Sequence, residues 1–277
     1  MATVIGESGA WREIRLKLGR AQLHVGKPGD IAPLHQNLLE TYPASVERRK
    51  SETLEAVAVQ ERMIEMLRGE KGVWRTIRNW FRIRTCNASI SLLNWKQDRF
   101  IRELDRNIRH LGELQNSAEL AGAIAELAVI KQLSLLPGDH VVLNDVHLRS
   151  NRYIHYNGNP LQSAQIDHMV LSPAGVFVIE TKLWSEKFAQ SHAYHNPFDQ
   201  VQRASYLCYD LLKSFWGKTR VRSVIACGGH LPEAPDKSRV KILHFHRLNG
   251  YITWFQKQEI PPDKQARLCQ YFERFVN

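Results

Sequence analysis

A glutamate and a lysine two positions apart close an otherwise apolar run, Val176-Phe177-Val178-Ile179-Glu180-Thr181-Lys182. A second run, Gln165-Ile166-Asp167-His168-Met169-Val170-Leu171, precedes it, and Ser172-Pro173-Ala174-Gly175 joins the two. Both read as strands, and side chains alternate across a strand. If 172–175 close a hairpin, Leu171 lies opposite Val176 and paired positions sum to 347. Asp167 then faces Glu180, Gln165 faces Lys182, and all four share a face. Two carboxylates directly opposite each other repel, so folding alone gives no reason to place them there. A cation between them reverses the sign of that interaction. Hard oxygen donors suit Mg²⁺, with Mn²⁺ as an alternative ion. Such an ion neutralises charge developing on a phosphoryl group and lowers the pKa of bound water. Lys182 would orient that water or stabilise the transition-state charge.

A third acid lies upstream. Glu126 falls on a helical stripe with Gly122, Ala123, Ile130 and Leu133, which points it inward. A buried carboxylate is costly unless paired, and a metal or Lys182 would pair it. Gly122, one turn earlier, lets this helix lie close to the sheet. His168 points to the opposite face from Asp167 and is expected to pack and hydrogen-bond. Cys227, His230, His244 and His246 are too irregularly spaced for a structural zinc site. His192 and His195 fall in a loop.

Taken with Gly122 to Glu126, Leu143-Asn144-Asp145-Val146, and Asn196-Pro197 with Gln200, these stretches resemble the nuclease-related domain family, NERD. That family lies within the PD-(D/E)XK superfamily. The resemblance covers about residues 119–250. It implies a restriction-endonuclease-like core and Mg²⁺-dependent hydrolysis of DNA phosphodiesters, with RNA left open and an endonuclease expected. It makes Asp167 and Glu180 metal ligands, Lys182 the catalytic lysine and Glu126 an assistant to the metal or its water. Gln165 and Gln200 become supporting residues. The chain departs from the family at Ile166, where the motif name has proline, at Ala125, where glycine is frequent, and at 183–186, which lacks the usual glycine. A catalytically silent nucleic-acid-binding or protein-interaction module on the same fold is the alternative.

The elements that must position these residues follow an α/β order after residue 119. A helix over 119–135 stops at Pro137-Gly138. Strands follow at 140–148, 165–171 and 176–182, with a polar loop at 149–163. A helix opens at Asn196-Pro197 and runs to about 215. Strands at 221–227 and 240–245 and a helix over 261–277 complete a mixed central sheet flanked by helices.

Residues 45–118 read differently, as a helical arm. One helix covers 45–69, with Leu54, Val57, Ala58, Ile64 and Leu67 on one face. Another covers 89–117, with a heptad seam of Ile101, Leu104, Ile108, Leu111, Gln115 and Ala118. The connector at 72–85 is basic and aromatic. The seam serves a hairpin or, alternatively, a homodimer through these N-terminal helices. Residues 1–44, rich in Gly and Pro, read as irregular.

The 277 residues carry 38 Lys and Arg against 28 Asp and Glu, a formal charge of +10. The excess is spread: +6 over residues 1–118 (20 basic, 14 acidic) and +4 over 119–277 (18 basic, 14 acidic). A basic balance favours a polyanionic partner. Four scattered cysteines suggest no disulfide framework. The sequence shows no signal-like apolar segment and no transmembrane stretch. A cytoplasmic protein is expected.

Overall fold

A computed structural model describes residues 1–70, 72–184, 196–231 and 239–277. The contacts divide the chain into two compact units: Met1–His24 with Ser117–Asn277, and Val25–Asn116.

The first unit is built on a mixed six-stranded sheet whose spatial order follows the chain. The strands are β1 (Thr3–Ile5), β2 (Val141–Tyr156), β3 (Asn159–Ser172), β4 (Gly175–Trp184), β5 (Val221–Gly229) and β6 (Lys241–His244). β1 runs parallel to β2; β2, β3 and β4 form an antiparallel meander; β5 and β6 add in parallel. The described helices of this unit are α1 (Gly9–Arg20), α4 (Ala118–Leu133), α5 (Pro197–Trp216), α6 (Leu248–Thr253) and α7 (Pro262–Glu273). Alternation along the strands sends side chains into two cores. Leu143, Met169, Val178 and Ile225 meet Val201, Leu207 and Leu211 of α5 and Leu268 and Phe272 of α7. Val142, Val170, Phe177 and Val224 meet Val129 and Leu133 of α4 and Leu248 and Ile252 of α6. The fold is thus the α/β class expected, a mixed sheet with helices on both faces.

The β3–β4 hairpin keeps the expected register, from Ser172 opposite Gly175 to His168 opposite Ile179. Gly175 has φ of 128°, and a Cβ there would lie 2.8 Å from the Arg220 carbonyl oxygen. Only glycine closes this turn without strain. α5 starts where Asn196 caps it, its Oδ1 accepting from the Phe198 N–H at 3.0 Å, with Pro197 in the first turn, where its missing N–H costs nothing.

Two expectations for this unit are corrected. The 149–163 segment is not a loop. β2 and β3 continue as a hairpin turning at Asn157 (φ 48°) and Gly158 (φ 80°). Two positive φ values define the turn whose twist matches antiparallel strands, and Asn-Gly is its favoured pair. Nor is the segment 1–44 irregular. It contains β1, α1 and the start of a long helix. Ser8 caps α1, its Oγ accepting from the Trp11 N–H at 3.0 Å, and Trp11, Ile14 and Leu18 form its buried stripe.

The second unit is a helical hairpin of α2 (Ile31–Gly69) and α3 (Val73–Gln115). α2 passes through Pro43, in the segment expected to be irregular. Pro43 is exposed, so water can satisfy the carbonyl that loses its helical donor. The 72–85 segment is the first turns of α3 rather than a connector. Asn79, buried inside it, donates to the Leu67 carbonyl at 2.9 Å and so caps the end of α2. At the other end His35 Nδ1 meets Gln115 Nε2 at 3.0 Å. Val46, Thr53, Ile64 and Leu67 of α2 and Cys86, Leu111 and Leu114 of α3 are buried. Leu54, expected on the buried face, is exposed, and Thr53 takes the inward position. No helix among the described residues is long and apolar enough to cross a membrane.

Candidate active site

Pairing between β3 and β4 ends at His168–Ile179, just before the two carboxylates would stand opposite each other. From there β4 follows β5 as far as Trp184–Gly229, and β3 follows β2. A cleft of about 410 Å³ is lined by residues of both strands beyond this point. The Asp167 carboxylate takes up a freed donor: Oδ2 accepts from the Thr181 N–H at 2.7 Å. That carboxylate thus gains a charge-assisted hydrogen bond, which offsets part of its cost of burial.

All six residues singled out from the sequence line this cleft: Glu126 from α4, Gln165 and Asp167 from β3, Glu180 and Lys182 from β4, and Gln200 from α5. Glu180 is 3% exposed, and Lys182 Nζ donates to its Oε1 at 2.5 Å. Glu126 is held from far along the chain. Its Oε2 accepts from Ser8 Oγ at 2.7 Å and from the Ala10 N–H at 3.3 Å, at the N-terminus of α1. The positive end of a helix dipole suits a carboxylate.

The cleft nevertheless holds more negative charge than it neutralises. Burial, then the charge of Asp167, pushes Glu180 up to about 8 despite Lys182. Burial and Asp167 raise Glu126 to about 7, against the hydrogen bonds from Ser8 and Ala10. Asp167 is also raised by burial, with Lys182 and the Thr181 N–H opposing. For Lys182 burial works downward, but Glu180 and Asp167 together outweigh it and the ammonium is held above its ordinary value. Under-compensated acids of this kind mark functional sites more than structural ones.

Behind the cleft, His168 is fully buried, as its opposite-face placement anticipated. Asn144 Nδ2 donates to the Ile5 and Gly6 carbonyls, so its Oδ1 accepts from His168 Nδ1 at 2.8 Å. Nε2 is then the acceptor for the Thr181 hydroxyl at 3.1 Å. Burial lowers His168 to about 3, which leaves a neutral brace beneath Thr181 rather than a base.

Three contributors were missed in the sequence. Asp145 is 2% exposed at φ 50°. It pairs with Arg12 at 2.9 Å and accepts from His147 and Gln165, each at 2.9 Å. The flanking pairs Asn144–His168 and Val146–Ile166 place it opposite Asp167. Its signal was present in Leu143-Asn144-Asp145-Val146: an acid inside an apolar strand. Ser8 and Arg12 lie in the segment that reads as irregular, and nothing local ties them to Glu126 or Asp145.

The cleft offers hard oxygen donors and an amine. Mg²⁺ is commonly held by one or two carboxylates, with water and phosphate completing its shell, and Asp167 and Glu180 fit that pattern. The placement of both carboxylates on one cleft supports the fit: burial raises both, the charge of Asp167 adds to the rise of Glu180, and a cation would stabilise their charged forms. Among the described residues no group of three or more His, Cys, Asp or Glu side chains is arranged to hold a metal ion. The set Cys227, His230, His244 and His246 is included in that statement. His192, His195 and residues 185–186 lie outside the described residues.

A mixed sheet bearing an aspartate on one strand and Glu-Thr-Lys on the next, against a helix bearing a glutamate, is the arrangement the PD-(D/E)XK resemblance implied. Residues 121–227 match the family model described as the nuclease-related domain, NERD. The match takes in Glu126, Asp167, Glu180 and Lys182, and begins after α1 and the helical hairpin. No curated protein and no solved structure matches the chain.

Proposed function

We propose that the protein is a metal-dependent nuclease that hydrolyses DNA phosphodiester bonds internally, with Mg²⁺ as its ion. The observation that carries this reading is the gathering of Glu126, Asp167, Glu180 and Lys182 on one cleft, within the nuclease-related match. Asp167 and Glu180 would hold the ion, with Glu126 beside them. When bound, the ion supplies charge neutralisation at the phosphate and a more acidic water. Lys182, fixed by its hydrogen bond to Glu180, presents a positive charge toward the scissile phosphate. Glu126 is anchored through one oxygen by Ser8 and Ala10, which leaves the other oxygen available to take or return a proton near neutral pH. Gln165 and Gln200 provide neutral donors and acceptors at the cleft wall.

The test uses closed-circular plasmid and linear DNA with Mg²⁺, repeated with Glu180→Ala and Lys182→Ala. Nicking of the plasmid by the wild type and its loss in both variants is the expected result. Unchanged cleavage in both variants removes the site. A wild type that cuts nothing favours the second reading, a silent nucleic-acid-binding module. One observation favours that reading: Lys182 already occupies Glu180 Oε1.

A further inference from the structure

Gln165 lines two cavities. One is the acidic cleft, and the other, of about 680 Å³, is bordered by Arg12, His147, Arg149, Ser163 and Arg274. Among the described residues, no Asp or Glu side chain lines this second cavity. Its polar groups fall into two sets. Arg12, His147 and Gln165 are tied to the single buried carboxylate of Asp145, which fixes their positions before any ligand arrives. Arg149 and Arg274 are exposed and form no ion pair among the described residues. A fixed inner group and two uncommitted arginines, sharing the wall residue Gln165 with the acidic cleft, match a ligand that carries anionic groups in succession. Phosphate contacts of this kind set a strand's position and register rather than read its sequence.

We propose that this second cavity takes the sugar–phosphate backbone of the nucleic-acid strand whose scissile bond lies in the acidic cleft. Arg149 and Arg274 pair with its phosphates, Gln165 stands at the junction of the two cavities, and Asp145 acts as a positioning residue. The proposal rests on the nuclease reading above. Neutral Gln165 at the junction lets the strand pass between a basic track and an acidic centre without meeting a charge of its own sign there.

The test measures binding by the full chain, with chelator present, to a fluorescent single-stranded DNA, its duplex and an RNA of the same sequence, over a salt series. Each lost phosphate contact flattens the plot of log affinity against log salt by about 0.7 for a single strand and about 0.9 for a duplex. Arg149→Ala with Arg274→Ala should therefore flatten it by about 1.4–1.8 for the preferred nucleic acid and weaken binding roughly tenfold. Lys131→Ala with Lys213→Ala removes the same charge from exposed positions that line neither cavity, and should leave the slope unchanged. Equal losses in both double variants, or an unaltered slope in the arginine variant, overturn the track. If the wild type cuts DNA while the arginine variant binds normally, the track alone falls. A flattened slope in a protein that never cuts supports the track and removes the nuclease reading. A wild type that neither binds nor cuts removes both.

Discussion

Asp145 and Asp167 stand opposite each other on β2 and β3, yet the fold treats them differently. Asp145 is met by a guanidinium, an imidazole and a side-chain amide. Asp167 receives one backbone N–H and the charge of Lys182, and burial still raises its pKa. Asp145 organises its surroundings through Arg12, His147 and Gln165, although among the described residues its Oδ2 has only the Arg12 ion pair and its charge is still felt at Asp167 and Glu126. Asp167 belongs to a group of three acids that share one lysine, so part of its charge is left for something outside the chain. A buried carboxylate is thus informative only together with its donors. With a guanidinium of its own it organises structure; sharing one lysine with two other acids, it marks where a cation or a phosphate chemistry would be stabilised.

The sharpest way to break this contrast is to neutralise each aspartate in turn. Asp167→Asn should lower cleavage by about 10³-fold, the scale of losing a group that acts on transition-state charge, and abolish Mg²⁺ or Mn²⁺ binding in calorimetry. Asp145→Asn should stay within roughly tenfold of wild type, because asparagine tolerates positive φ and keeps an acceptor. Equal damage from both would erase the distinction.

Stability should invert the order. Asp145→Ala should cost about 3 kcal/mol, at the low end for removing one partner of a buried pair, read as a lower urea midpoint. An unchanged midpoint would make Asp145 dispensable.

A smaller effect is expected at Glu180. Its folded pKa of about 8 lies above its ordinary 4.5. Between those values the unfolded chain has released a proton that the folded chain keeps. Stability in chelator should therefore fall as pH rises from about 4.5 to about 8. Glu180→Gln should flatten that decline and raise the melting temperature at pH 7 by about 2–4 °C. A lower melting temperature would show that the acid is well compensated. The smallest change is Ser8→Ala. It should cost about 1 kcal/mol as a lost helix cap and reduce cleavage further by loosening Glu126. Unaltered cleavage would separate the cap from the site.

Much of the sheet could be read from the chain because its signals are local. The apolar run Val176 to Ile179 marked a strand, a four-residue joint set the β3–β4 register, and Asn196-Pro197 announced α5. The cleft residues could be gathered because that register carries Asp167, Glu180 and Lys182 together. The limits have equally physical causes. The Asn157-Gly158 turn was hidden by the polar residues of strand ends that reach beyond the core. The stretch holding Pro43 read as irregular because the cost of a proline inside a helix depends on exposure, which the sequence does not state. The separation of Asp167 from Glu180 depends on strands parting, and the roles of Ser8 and Arg12 depend on contacts spanning more than a hundred residues.

The division of the first unit between Met1–His24 and Ser117–Asn277 has a consequence for synthesis and for trimming. β1 leaves the ribosome long before β2, its partner, exists, while α2 and α3 are contiguous and can pair first. The opening segment must therefore wait, unpaired, for a strand about 140 positions later, a long-range closure that slows folding. It also means that removing everything before residue 117 is not a clean deletion of the arm. Such a truncation would take away the sheet's edge strand, the cap on Glu126 and the partner of Asp145. A cut that spares Met1–His24 and replaces only Val25–Asn116 is the one that would reveal what the arm contributes.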